Sequence, residues 1–406
     1  MKFKGTNFYL LFVEISFLVK NMSNKIPYVN ILQSAICIPV SDQVPIALDI
    51  KILPDKNIPA ESFFGVWLLD VSGSMGGERL DKAKDSLIEQ IGILPEGTIY
   101  NLITFESKVN EIIKDVKISD KSRKDIIKKI QGITERGTTS LYTALEKALE
   151  ILRKYARSNN ALAIRKIILI SDGEPTDVHV RSGEESDPNY QKYFMLAKEA
   201  LEYKSSIDTV GALGEHNVYL MYEIAKQSTG KYIFAENEEE LKTKMIIATE
   251  QTARIAFSSP TLAITSSTGD IELEDAAQYK PTVIRMPFEK INKRESKAYL
   301  RSFEAGDTYQ ILVKGKIFLN KENIQTETKV KVLELDFDFG KDGLRETKEI
   351  FITFSEDSSK FKLNQDINRK YANVFSQAEE IADCTIRGDA AATQKIQGDE
   401  TKKIDS

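Results

Sequence analysis

Asp70, Ser72 and Ser74 alternate in the string DVSGSMGG at 70–77, and an extended loop of that spacing can aim all three oxygens at one point. Two further oxygen donors stand at Thr139, within ERGTTSLYTAL, and at Asp172, within ISDGEPT. Carboxylate and hydroxyl oxygens without histidine or cysteine suit a hard cation. Mg2+ in octahedral geometry fits best, with Mn2+ and Ca2+ as alternatives. Alone, D-x-S-x-S is a weak signal, expected by chance in about one chain in ten of this size. The structural alternatives are ordinary: a capped helix start at 70–74, Thr139 capping a helix at 141–156, and Asp172 as a turn residue before Gly173. Each explains one residue, whereas a metal site explains all of them.

The elements that must hold these residues are legible on either side. Short apolar runs at 63–69 (FFGVWLL), 98–105 (TIYNLITF), 166–171 (KIILIS) and 207–213 (IDTVGAL) read as fully buried strands. Between them Leu80, Ala83, Leu87, Ile91 and Leu94 recur at helical spacing, as do Leu141, Leu145, Leu149 and Leu152. This alternation over 61–255 predicts an α/β unit, doubly wound around a mostly parallel sheet. Asp70, Thr139 and Asp172 then fall at strand ends or just before helices, on the carboxyl edge where such sheets bind ligands.

With that placement the residues resemble the metal-ion-dependent adhesion site of von Willebrand factor type A domains. The resemblance rests on D-x-S-x-S at 70–74, the threonine turn at 137–142 and SDGEPT at 171–176, and covers about half the chain. It implies a Rossmann-like fold in which Ser72, Ser74 and Thr139 bind the metal and Asp70 and Asp172 act directly or through water. The family usually has Gly-Gly-Thr where this chain has Gly137-Thr138-Thr139. Thr139 is preferred because Leu141-Tyr142 and Ala144-Leu145 follow at the family's spacing, and Thr138 is the fallback. The resemblance further implies a cytosolic protein-binding module or scaffold, with the last helix at 238–255 as the element that ligation would shift. Two carboxylates neutralise one Mg2+ and leave a coordination position open to an Asp or Glu of a partner protein. An AAA-type ATPase or a stress-response or signalling component is the kind of partner implied. The alternatives are a metal-dependent hydrolase or phosphatase, and a surface adhesin.

Outside this unit, period-2 patterning takes over. Segments 308–319, 327–339 and 349–354 read as antiparallel strands of a β-sandwich-like domain over 258–356, and the strands of 25–60 are expected to complete it. Tyr371, Val374, Phe375, Ala378, Ile381 and Ala382 mark an amphipathic helix, with Gly388-Asp389 as a stop and new cap, giving C-terminal helices over 365–397 and a frayed tail at 398–406. Asn237 is expected to cap a helix whose first turn is acidic. Asp336, Asp338 and Asp342 fail the EF-hand pattern and read as strand and turn. The acidic loop 174–188, with His179, either shapes ligand choice or is a solvated surface.

Composition sets the outer bounds. The chain has 406 residues, 41% of them hydrophobic and 29% charged, which permits two or three globular domains. The net charge of -5 provides no global field for nucleic acid. Cys37 and Cys384 alone encode neither a disulfide framework nor a zinc site, and fit a reducing, cytoplasmic setting. The apolar stretch at 8–19 is too short to span a bilayer, and Glu14 interrupts it, so no membrane association is expected. Residues 1–24 read as an extension, with Met22 as the expected true start. His179 and His216 are the only histidines, Ser74 is not in G-x-S-x-G, and Gly230-Lys231 and Gly315-Lys316 lack the P-loop glycine, so no enzyme is expected.

Overall fold

The computed structural model describes every residue except 1–25, 57–62, 159–163, 172–173, 182, 212–216, 235–236, 320–323, 341–343, 388–392 and 394–406. The expected N-terminal extension, the cap at Gly388-Asp389 with any helix after it, and the tail therefore lie outside the described residues, as do His216 and Asp342.

The chain begins with strands β1 (Tyr28–Gln33), β2 (Ala35–Ile38) and β3 (Gln43–Leu53). The α/β unit follows, with β4 (Phe63–Asp70), helix α1 (Glu78–Ile93), β5 (Ile99–Phe105), β6 (Val109–Lys117), α2 (Asp120–Gln131), α3 (Leu141–Ser158), β7 (Ile164–Ser171) and α4 (Asn189–Glu202). It closes with β8 (Ser205–Gly211), α5 (Val218–Gln227), β9 (Tyr232–Ile233) and α6 (Glu238–Ala253). The strands line up as β6-β5-β4-β7-β8-β9, and every neighbouring pair is parallel except β5 with β6. Because side chains alternate along a strand, Phe63, Trp67 and Leu69 of β4 face α1, α2 and α6, while Phe64, Val66 and Leu68 face α3, α4 and α5. Helices thus cover both faces, which is why the central strands are apolar throughout.

The remaining strands are β10 (Ile255–Phe257), β11 (Thr261–Ser266), β12 (Gly269–Lys280), β13 (Ile284–Arg285), β14 (Phe288–Lys290), β15 (Glu295–Tyr299) and β16 (Phe303–Glu304). After them come β17 (Tyr309–Leu319), β18 (Lys329–Asp338), β19 (Arg345–Phe354), β20 (Lys362–Leu363) and helix α7 (Gln365–Ile386). Two large sheets result, ordered β1-β3-β17-β12-β13 and β14-β15-β11-β18-β19-β2-β20, while β10 and β16 pair as a separate two-stranded sheet. The two large sheets share one core, in which Ile50, Ile311 and Ile317 of the first meet Leu262, Ile264, Leu335 and Phe337 of the second. The early strands enter this sandwich by pairing β3 along β17, from Tyr309 opposite Ile52 to Phe318 opposite Gln43. On the outer face of the first sheet, Ala47, Ala277, Tyr279 and Leu312 receive Ile367, Val374, Phe375, Ala378 and Ile381 of α7. Asp338 ends β18 and accepts the Gly340 N–H at 2.7 Å, the strand and turn expected there.

Candidate metal-binding site

The site grows from the carboxyl end of β4. Asp70 is fully buried there, and its two oxygens are both held: Oδ1 accepts the Ser72 N–H at 2.9 Å, and Oδ2 accepts the Ser171 hydroxyl at 2.6 Å from the end of β7. The first bond turns the chain so that Gly73–Met75 form one 3-10 turn, anchored by the buried Met75. Ser72 is buried and Ser74 exposed, and their hydroxyl oxygens lie 3.0 Å apart.

A second loop brackets the first. Arg136 N–H donates to Val71 O at 2.8 Å, and Gly73 N–H donates to Gly137 O at 3.1 Å, so the threonine turn is tied on both sides of Ser72. Gly137 sits at φ 72, and a Cβ there would lie 2.4 Å from both Glu106 Oε2 and Ser107 Oγ. Only glycine fits that place. Thr138 is exposed and donates its N–H to Ser107 Oγ at 3.2 Å, so the departure from Gly-Gly-Thr falls at the tolerant position. Thr139 is buried, 3% exposed.

The segment after β7 closes the edge. Thr176 donates its backbone N–H to Thr139 O at 2.8 Å, while its hydroxyl donates to the same oxygen at 3.0 Å and accepts the Thr139 N–H at 3.2 Å. Asp177 accepts the N–H groups of Tyr142 at 3.3 Å and Thr143 at 2.9 Å, and the Thr143 hydroxyl at 3.0 Å. The start of α3 is therefore capped from a neighbouring loop by Asp177, not by Thr139 as the chain order suggested. Asp187, held below the ordinary carboxylate range chiefly by the Asn189 N–H, fixes the far end of the acidic loop. Two of that loop's acids thus serve to hold it in place.

Glu106 supports the threonine turn from behind. Its backbone oxygen accepts the Ser140 N–H at 2.8 Å, its carboxylate accepts the Ser107 N–H, and Arg136 lies 3.6 Å away. Ser107 first, then Lys108 and Arg136, hold this carboxyl below its usual range against the opposing effect of burial.

Of the five expected residues, Asp70, Ser72 and Ser74 meet at one strand end, and Thr139 reaches the same edge through the Gly73–Gly137 bond. Asp172 lies outside the described residues, directly after Ser171. Among the described residues no group of three or more His, Cys, Asp and Glu side chains comes together, so any cation here draws on hydroxyls. The residues present fit one. Two cis ligands of an octahedral Mg2+, each about 2.1 Å from it, stand about 3.0 Å apart, which matches the Ser72–Ser74 oxygen separation of 3.0 Å. Ser171, Thr176, Asp177 and Glu106 position the site without having been singled out as ligands; the SDGEPT string contained the first two, and Asp177 follows it directly.

Residues 66–174 match the family model for the von Willebrand factor type A domain, a stretch that contains all five candidate ligands. Over 128 residues the chain is 29% identical to inter-alpha-trypsin inhibitor heavy chain H1 of Mesocricetus auratus, covering 30% of this chain and 14% of that protein. It therefore spans a small part of the length of the curated relatives it matches. A von Willebrand factor type A structure from Catenulispora acidiphila superposes with a TM-score of 0.69 at 14% identity, covering 92% of this chain and 85% of that one. The ArnB paralog VWA2 from Sulfolobus acidocaldarius gives a TM-score of 0.57 at 15% identity, covering 91% and 87%. These two show likeness of fold over the sandwich and the C-terminal helix as well. The chain contains a von Willebrand factor type A domain, joined to a β-rich region and a C-terminal helix. Domains of this family are protein-interaction modules.

Proposed function

We propose that this chain is a divalent-metal-dependent protein-binding module that captures an Asp or Glu carboxylate of a partner through Mg2+ held by Ser72, Ser74, Thr139, Asp70 and Asp172. The observation that carries this reading is the 3.0 Å separation of the Ser72 and Ser74 oxygens at the end of a buried strand. When bound, the cation would supply a Lewis-acidic position open to a carboxylate oxygen. The chain's own part is orientation. Asp70 fixes the Ser72 backbone, Ser171 fixes Asp70, and Thr176 fixes the Thr139 backbone, which supports a site ordered before any ligand arrives.

A metal-dependent hydrolase at the same edge would need a general base. The described carboxylate behind the threonine turn, Glu106, is engaged by Ser107 and Arg136, which favours binding over catalysis. We further propose that residues 61–255 act as the capturing unit, while 25–60 with 258–356 and the helices of 365–397 present it to an assembly. The proposed setting is cytoplasmic, supported by the two buried, unpaired cysteines, Cys37 and Cys384. Among the described residues no helix is long and apolar enough to cross a membrane. The proposed partner is a protein such as an AAA-type ATPase or a signalling component, and the net charge of -5 argues against nucleic acid.

The experiment is metal titration followed by capture. Mg2+ or Mn2+ should raise the melting temperature of the wild type and leave folded Ser72→Ala/Ser74→Ala unmoved. Partners retained from native lysate with Mg2+ should be released by EDTA and by blocking with a short Glu-containing peptide. Equal retention by wild type and variant, with metal or without, would sink the proposal.

A further inference from the structure

A cavity of about 500 Å3 lies where the β8–β9 edge, α6, the sandwich and α7 come together. Its floor carries charge that is only partly balanced. Asp208 on β8 is spent on Lys166 at 2.5 Å and on the Lys231 N–H at 2.9 Å, and Asp307 lies 3.7 Å from Arg254. Lys231 reaches Gln251 at 2.6 Å and Glu304 only at 3.7 Å. Arg301 donates to the carbonyl of Gly230, and among the described residues no carboxylate forms an ion pair with it. A guanidinium has five N–H donors, so most of its capacity is unspent.

Two buried polar atoms in the same walls have no hydrogen-bond partner among the described residues: Gln278 Oε1, on a side chain 2% exposed, and Thr229 Oγ1. A buried carboxamide oxygen left unsatisfied costs about 1–3 kcal/mol, and such atoms call for an explanation. The Gln278 oxygen can only accept, so what would satisfy it is a hydroxyl or amine. Apolar surface from Tyr222, Ile247 and Val283 completes the lining. The volume is that of a small-molecule site, with a largely apolar wall and few polar groups.

We propose that this cavity binds a small organic anion, its acidic head on Arg301 and Lys231, a hydroxyl or amine donor on Gln278, and an apolar body between α6 and the sandwich. Independent support comes from Lys231, whose ammonium is pushed down to about 8 by burial and by Lys166, a cost that a bound anion relieves. The cavity is separate from the Ser72–Ser74 edge: Lys166 stands at the amino-terminal half of β7, whereas Ser171 ends that strand.

The probe is 8-anilinonaphthalene-1-sulfonate, which carries an anion, an N–H donor and an aromatic body; its neutral counterpart is N-phenyl-1-naphthylamine. Fluorescence titration of the full chain should give one saturable site for the sulfonate, at least tenfold tighter than for the neutral amine. Arg301→Gln should weaken it at least tenfold, Arg301→Lys by only a few-fold, and Ser302→Phe, which fills the cavity, should abolish it. Circular dichroism checks that each variant is folded; should Arg301→Gln unfold, Lys231→Met and Ser302→Phe carry the comparison. No saturable binding, equal affinity for both probes, or binding unchanged in the folded variants would overturn the proposal.

Discussion

Thr139 and Thr176 are joined by three hydrogen bonds, two into the Thr139 carbonyl and one from its N–H, which lock a candidate ligand to the loop after β7. Thr176→Val removes the hydroxyl's two bonds and keeps the backbone one. Partners of ligands typically contribute 10–100-fold to metal affinity. Mn2+ affinity, read by calorimetry, should fall about tenfold in this variant, while the unfolding free energy changes by about 1–2 kcal/mol. An unchanged Mn2+ affinity would remove Thr176 from the site.

Gly137 and Thr138 differ sharply although they are neighbours. Gly137→Ala adds a methyl 2.4 Å from Glu106 Oε2 and Ser107 Oγ at a left-handed backbone position. It should destabilise the fold by about 1–2 kcal/mol and loosen the turn that carries Thr139. Thr138→Gly, at an exposed position, should leave metal affinity within about twofold and cost no more than about 1 kcal/mol. Chemical denaturation of both variants checks the contrast.

Sequence carried the site further than it carried its support. Asp70, Ser72 and Ser74 could be read as convergent because extended spacing and the end of an apolar strand coincide at one place. Residues in β6 gave no such sign. Only Ile113 of that strand is fully buried, and charges occupy its exposed edge, so VNEIIKDVK lacks the apolar run of its neighbours. The capping of α3 by Asp177 was equally hidden, since the acid lies 34 residues from Thr143 and only the folded edge brings them together. By contrast the Asn237 cap of α6 is local, its carboxamide accepting the Glu240 N–H at 3.0 Å, and was legible from chain order alone. The sandwich was visible as alternation at Leu335, Phe337 and Phe339. Its order, with β3 beside β17, depends on long-range packing that no local pattern encodes.

Asp49 ties α7 to the sheet beneath it. The carboxylate is 4% exposed, accepts the Tyr279 hydroxyl at 2.6 Å, and meets Lys370 at 3.0 Å. Asp49→Ala would remove the acceptor that both groups share and should cost about 1–3 kcal/mol. Asp49→Asn retains an acceptor and should cost less. Hydrogen exchange would report the loss as lowered protection across 365–386, and unchanged protection in Asp49→Ala would show that apolar contacts alone seat the helix.

Lys231 is expected to make stability rise with alkaline pH. Its folded ammonium is held at about 8, against an unfolded value near the ordinary lysine range. Below about 8 the group is charged in both states and the folded protein bears the full cost of burying it. Between there and the ordinary lysine value the unfolded chain holds a proton that the folded one has released, so unfolding takes up a proton and stability increases with pH. Buried tyrosines such as Tyr309, pushed up by burial, oppose this only once the unfolded phenols ionise near pH 10. Denaturation midpoints between about pH 7.5 and 9.5 should therefore climb in the wild type and stay flatter in Lys231→Met. In the same window, affinity for 8-anilinonaphthalene-1-sulfonate should fall as Lys231 loses its charge, whereas a parallel rise in both proteins would assign the slope to other groups.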